Sequence, residues 1–175
     1  VLAIGSTVGN PTTNPTNEGN VTVYRRDNSG NWNNPDTFVV NGSNTTNGDY
    51  GSGNNDYLGF CVSISDDGTV LAVGAPEGTT SNAGGNGYVR IYKYDGSSWS
   101  QYGSDITPSS TNGNFGYSVS LSGDGSVLAI GEPGTGNGSV YTYKDGGSSF
   151  SLDQTITGTV PSNGNNNFGF SVALD

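Results

Sequence analysis

Three copies of one phrase run along the chain, and they restrict it to a fold built by copying. Leu58-Gly59-Phe60-Cys61-Val62-Ser63-Ile64-Ser65 returns as Phe115-Gly116-Tyr117-Ser118-Val119-Ser120-Leu121-Ser122, and once more as Phe168-Gly169-Phe170-Ser171-Val172-Ala173-Leu174-Asp175. The copies start 57 residues apart (58 to 115), then 53 apart (115 to 168). A second phrase keeps step with the first: Val1-Leu2-Ala3-Ile4-Gly5, Val70-Leu71-Ala72-Val73-Gly74 and Val127-Leu128-Ala129-Ile130-Gly131. A fixed period of this size marks a repeat architecture, in which each unit needs its neighbours to bury an apolar face.

The middle copy reads as four strands. Leu58, Phe60, Val62 and Ile64 alternate with Gly59, Cys61, Ser63 and Ser65, the period-two pattern of a strand with one apolar face. Asp66-Asp67-Gly68-Thr69 supplies a tight turn, and Val70 to Val73 is an uninterrupted apolar run, as in a strand buried on both faces. After a polar loop, Tyr88 to Tyr94 alternates again. Asp95-Gly96-Ser97-Ser98 turns the chain, and Trp99 opens a fourth strand that ends near Ile106. No stretch carries a helical apolar period, so no significant helix is expected. The expected fold is all-β, with β-propeller-like blades of four antiparallel strands and about three repeats of roughly 55 residues. Blade 1 covers 1–57 (strands two to four and a linker), blade 2 covers 58–114 and blade 3 covers 115–167. Residues 168–175 then form the first strand of a following blade or a closure of the first, for twelve strands in all. Three blades fall below the usual four to eight, so the chain is expected to be a segment of something longer, or to meet blades of neighbouring copies.

These phrases resemble the FG-GAP repeat of integrin α-subunit propellers and related extracellular proteins. Phe115-Gly116-Tyr117-Ser118-Val119, the Gly74-Ala75-Pro76 ending and the later Gly-x-Val-x-x-Tyr strand recur in order over the whole chain. Gly131-Glu132-Pro133 and Gly5-Ser6-Thr7 depart from the GAP phrase, and Leu58 replaces the Phe in one copy. The resemblance implies an extracellular or cell-surface propeller, and often a calcium loop. Here the loop is degenerate. With Asp67-Gly68 in the Asp-Gly place, the other ligand positions fall on Ser63, Ser65 and Leu71; with Asp124-Gly125 they fall on Ser120, Ser122 and Leu128. One carboxylate, two hydroxyls and a leucine do not make a site of six to eight oxygens. Tight hairpin turns are expected instead, with no metal and no cofactor.

Composition narrows the partners. The net charge is -10, with 5 Lys+Arg against 15 Asp+Glu, which disfavours nucleic acid and anionic membrane surfaces. No apolar run is long enough to insert in a membrane. Only 30% of residues are hydrophobic, so the core must be thin, regular and confined to the strands. The single cysteine, Cys61, stands where the other copies have Ser118 and Ser171 and reads as a small strand residue. With no histidine, no reactive cysteine and no zinc cluster, enzymatic routes close. A carboxylate pair of Glu77 and Glu132 is the formal remnant, and it reads as copies of one structural turn.

In such a blade the loops alternate between two rims. One rim is short and uniform: Ser65 to Thr69, Gly123 to Ser126, Asp95 to Ser98 and Asp145 to Ser149. The other is long and variable: Ser6 to Gly19, Pro76 to Gly87, Asn41 to Tyr57 and Pro108 to Asn114. Loops of varying length are where function is grafted. The acceptor pattern Asn-x-Ser/Thr occurs at Asn20, Asn41, Asn44 and Asn137, all on or beside the long-loop rim, and covalent N-glycans are expected there. The Pro11 to Thr16 tract suits O-glycans by composition. Arg25, Arg26, Arg90, Lys93 and Lys144 fall on or at the end of the third strand of a blade, where cations discourage edge pairing or meet acidic loops of a neighbouring subunit at Glu77 or Asp49. The expectation is a non-enzymatic, glycosylated extracellular structural protein, a filament or fibril subunit whose partners are copies of itself and glycans. The alternative is an adhesion or carbohydrate-binding module in which Tyr50, Tyr57 and Tyr102 stack on sugars.

Overall fold

The computed structural model describes residues 1–7, 19–32, 35–41 (backbone alone), 57–77, 86–109, 113–134, 136–159 and 166–175. Among them the chain is all-β, with no helix and eleven strands in three antiparallel sheets. The first sheet holds β1 (Leu2–Ser6), β2 (Asn20–Tyr24) and β3 (Pro35–Asn41). In the second lie β4 (Cys61–Ile64), β5 (Val70–Ala75), β6 (Tyr88–Tyr94) and β7 (Trp99–Gln101). The third is β8 (Ser118–Leu121), β9 (Val127–Glu132), β10 (Ser139–Asp145) and β11 (Phe150–Thr157). Each sheet is a meander in chain order. The sequence period appears as one register: Cys61 faces Gly74 across β4 and β5, as Ser118 faces Gly131 across β8 and β9.

The twelfth strand does not form. Residues 168–175 make one parallel bridge, Phe168 to Gly138, and no ladder. A strand needs a partner for its backbone groups, and among the described residues none forms a ladder with this segment. The fourth strand of the second sheet is also shorter than expected, stopping at Gln101; Tyr102 N still donates to the Ile91 carbonyl, the chain turns at Gly103 (φ 74°) and it rejoins β6 at Asp105 and Ile106.

The core lies between sheets, in two layers. Val21 and Val23 of the first sheet pack with Leu71, Val73 and Trp99 of the second. Val70, Ala72, Val89 and Ile91, on the other face of the second sheet, pack with Leu128, Ile130 and Phe150 of the third. The uninterrupted apolar run of β5 is thus explained: its alternate residues enter different layers, and the whole strand is buried. Each fully buried Leu or Ile contributes about 1.5–3 kcal/mol of transfer free energy.

Consecutive sheets approach closely where the repeat phrases meet. A Cβ on Gly74 would overlap the Gly116 carbonyl oxygen, and Gly5 and Gly131 stand in the same relation to Gly59 and Gly169. The glycine ending the second phrase is therefore the seat for the next Phe-Gly turn. Beside this seat Cys61 Sγ donates to the Gly116 carbonyl at 3.0 Å, and Ser118 Oγ donates to that of Gly169 at 2.8 Å. One step further along, Leu121 N donates to Ser63 Oγ and Leu174 N to Ser120 Oγ, both at 2.9 Å. The same polar contacts are thus made from the second sheet to the third and from the third sheet to residues 168–175.

Two of the basic residues, Arg25 and Lys93, join this system across sheets. Arg25 lies 4.0 Å from the centre of the Tyr94 ring and donates to the Gly68 carbonyl, crossing from the first sheet to the second. Lys93, at the equivalent position, crosses from the second sheet to Asp145 of the third at 2.7 Å, over the Tyr102 ring. Arg90 is buried and holds Asp105 through two bonds of 2.7 and 2.6 Å. Lys144, third in the series, meets Asp153 of its own sheet. Asp49, the expected acidic partner in a neighbour, lies outside the described residues.

Candidate functional site

Three identical turns open the first-strand segments and bring their aromatic residues into a row. In each, the amide three residues on donates back to a carbonyl: Phe60 to Tyr57, Tyr117 to Asn114 and Phe170 to Asn167. The turn places its glycine at positive φ (89° at Gly59), the arrangement of a type II turn. The residue that opens each turn also has positive φ, 50° at Tyr57, 56° at Asn114 and 45° at Asn167. Backbone strain of this kind repeated three times marks a conformation that the surrounding packing imposes.

The turn redirects the aromatic side chains. The alternation in sequence put Phe60 on the apolar face with Leu58. In the structure Leu58 is fully buried while Phe60 is 41% exposed, because the turn at Gly59 separates them and the strand begins only at Cys61. The rings at this position then pack on one another across the sheets. Phe60 and Tyr117 have centroids 4.8 Å apart, and Tyr117 and Phe170 are 4.9 Å apart. Phe170 is 56% exposed at the end of the row. Spacing by 57 and 53 residues was the available signal (60 to 117, 117 to 170), and the alternation rule obscured it.

Of the expected glycan positions, Asn20, Asn41 and Asn137 lie at the same end of their sheets as these turns. Asn20 and Asn41 are register partners at one end of β2 and β3, and Asn20 also faces Ser6 of β1. Asn137 sits in the turn that leads into β10. Asn20 and Asn137 are half-buried. Gly59 packs on the Asn20 carbonyl, so the aromatic row and this acceptor adjoin. Asn44, Tyr50 and the Pro11 to Thr16 tract lie outside the described residues. Tyr57 and Tyr102 do not share a cluster: Tyr57 supplies a turn carbonyl on this rim, whereas Tyr102 donates to Asp145 at 2.6 Å and meets the Phe150 ring edge-on.

On the opposite rim the Asp-Gly carboxylates serve the hairpins. Asp67 accepts from Ser65 Oγ at 2.7 Å, Thr69 N at 2.9 Å and Thr69 Oγ1 at 2.8 Å, and Asp124 repeats this with Ser122 and Ser126. The Ser122 hydroxyl, then Ser126, hold the Asp124 carboxyl down at about 2. Among the described residues no group of three or more His, Cys, Asp or Glu is placed to hold a metal ion.

Glu77 and Glu132 do not occupy equivalent turns. Glu132 is the last residue of β9 and is fully buried, accepting from the Tyr141 hydroxyl at 2.5 Å. Glu77 follows β5 in an exposed turn. In register Glu132 corresponds to Ala75, two residues before Glu77. Cys61 is half-buried against the core, and desolvation pushes its thiol up to about 12, away from the thiolate form. Among the described residues no helix is long and apolar enough to cross a membrane.

The chain matches no protein-family model and no curated protein.

Proposed function

We propose that the chain is a non-enzymatic structural protein of the cell surface or extracellular space, a glycosylated subunit of a filament built from FG-GAP-like, propeller-like blades. The observation that carries this reading is the repeated step between sheets. The glycine seat, the Cys61 or Ser118 bond to the next turn and the ring on ring contact recur from one sheet to the next. Such a contact is heterologous, joining one face to a different face, and it continues until it closes into a ring or runs on as a fibre. Acceptor asparagines grouped on one rim leave the other rim and the sheet faces open to packing. Treatment of the native protein with an N-glycosidase is expected to lower its mass by the weight of at least one glycan; an unchanged mass would remove the glycoprotein part of the proposal.

A second reading, an adhesion or carbohydrate-binding module, is favoured by one feature, the row Phe60–Tyr117–Phe170, whose two end rings are exposed. Aromatic rings at a loop rim are suited to sugar faces. Under this reading Tyr117→Ala abolishes binding to an immobilised glycan while the fold is retained. The rings here spend part of their faces on one another, which favours the structural reading.

A further inference from the structure

Three exposed apolar side chains of the first sheet stand where the other repeats bury theirs. Leu2 and Ile4 are 40% and 48% exposed, and Trp32 is 41% exposed. By phrase alignment Leu2 and Ile4 correspond to Leu71 and Val73, and to Leu128 and Ile130. Trp32, which follows the turn after β2, corresponds to Trp99 and Phe150, which follow the turns after β6 and β10. All six counterparts are at most 9% exposed and cluster with side chains of the preceding sheet.

The complementary half lies at the other end of the molecule. Val21 and Val89 are buried toward the sheet that follows theirs; their counterpart Val140 is only half-buried, with Ile156 opposite it in register and 46% exposed. Residues 168–175 rest on β8 through bonds equivalent to those β8 makes to β4, yet have no ladder partner among the described residues. Among the described residues no strand pairs with the outer edge of β1.

Resting on the reading of copies as partners, we infer that the first sheet of a second copy seats on the third sheet of the first. Residues 171–174 then complete the partner's sheet beside β1. The register is the one seen in Cys61↔Gly74 and Ser118↔Gly131: Ser171 faces Gly5, Val172 faces Ile4, Ala173 faces Ala3 and Leu174 faces Leu2. Phe170 meets Phe60 of the partner copy, and the ring row continues across the junction. The ion pair of the internal step is not reproduced, because the position of Asp145 is taken by Arg26. The junction rests on apolar faces and strand pairing.

The test uses the 175-residue chain and two variants at exposed positions, Ile4→Lys and Ile156→Lys, with circular dichroism as the check on folding. Each variant alone is expected to sediment as a monomer, with association weakened at least about thirtyfold. Mixed together they are expected to form dimers and nothing larger, since each retains the face that the other has lost. In a Cys61→Ser background, Ala3→Cys and Ala173→Cys copies are expected to join by a disulfide on oxidation. A wild-type chain that stays monomeric, or variants that still polymerise, overturns the inference. Filaments in native material alongside a monomeric 175-residue chain would overturn this junction and leave the structural reading standing.

Discussion

At the scale of single residues, the repeat is enforced by the smallest side chains. Gly74 has no room for a methyl group, because the Gly116 carbonyl occupies that space. Gly74→Ala is expected to cost about 1–3 kcal/mol, read as a lower midpoint in urea. Cys61 tests the converse. Its bond to Gly116 is made by a serine in the next repeat, so Cys61→Ser is expected to change stability by less than about 1.5 kcal/mol. Buried Glu132 behaves differently from both, since its carboxylate lies against the Tyr141 hydroxyl. Tyr141→Phe removes that donor and is expected to lower stability by about 1–3 kcal/mol in the same assay.

At the scale of the element, the short-rim hairpins and the Asp145 junction set the acid response. Burial works against the charge on Asp145, and bonds from Lys93 and Tyr102 outweigh it, so its carboxyl lies below the ordinary value. Asp124 is also held down, at about 2. A depressed folded pKa gives stability that is present above the unfolded value, near 4, and is lost as pH falls through the folded value. Melting temperature is therefore expected to decline between pH 4 and about 2, and Asp145→Asn is expected to flatten part of that decline. A flat profile over this range in the wild type would contradict the assignment. Strands and hairpins were legible in the sequence, because alternation, turn residues and the apolar run of β5 are local signals. The exposure of Phe60 was not: the turn at Tyr57 to Phe60 breaks the alternation that sequence reading extends through it. The cross-sheet roles of Arg25 and Lys93 were hidden for a different reason, since their partners lie 69 and 52 residues away (25 to 94, 93 to 145). The Asn-x-Ser/Thr motifs are a local sequence pattern, and strand order places those at Asn20, Asn41 and Asn137 at one end of their sheets.

For the whole molecule, one sheet and one step between sheets account for the described architecture. Apolar layers, glycine seats and ring contacts repeat together, so the face presented by one sheet is complementary to the face of the sheet before it. The net charge of -10 opposes the meeting of two copies. Because the junction carries no ion pair equivalent to Lys93–Asp145, salt is expected to strengthen association by screening that repulsion, seen as larger species at 0.5 M than at 0.05 M salt. The central claim is that this step continues between copies. Negative-stain electron microscopy of the native material tests it most directly. Long filaments with a regular axial repeat are expected, whereas discrete closed rings of blades, or isolated single particles, would contradict it.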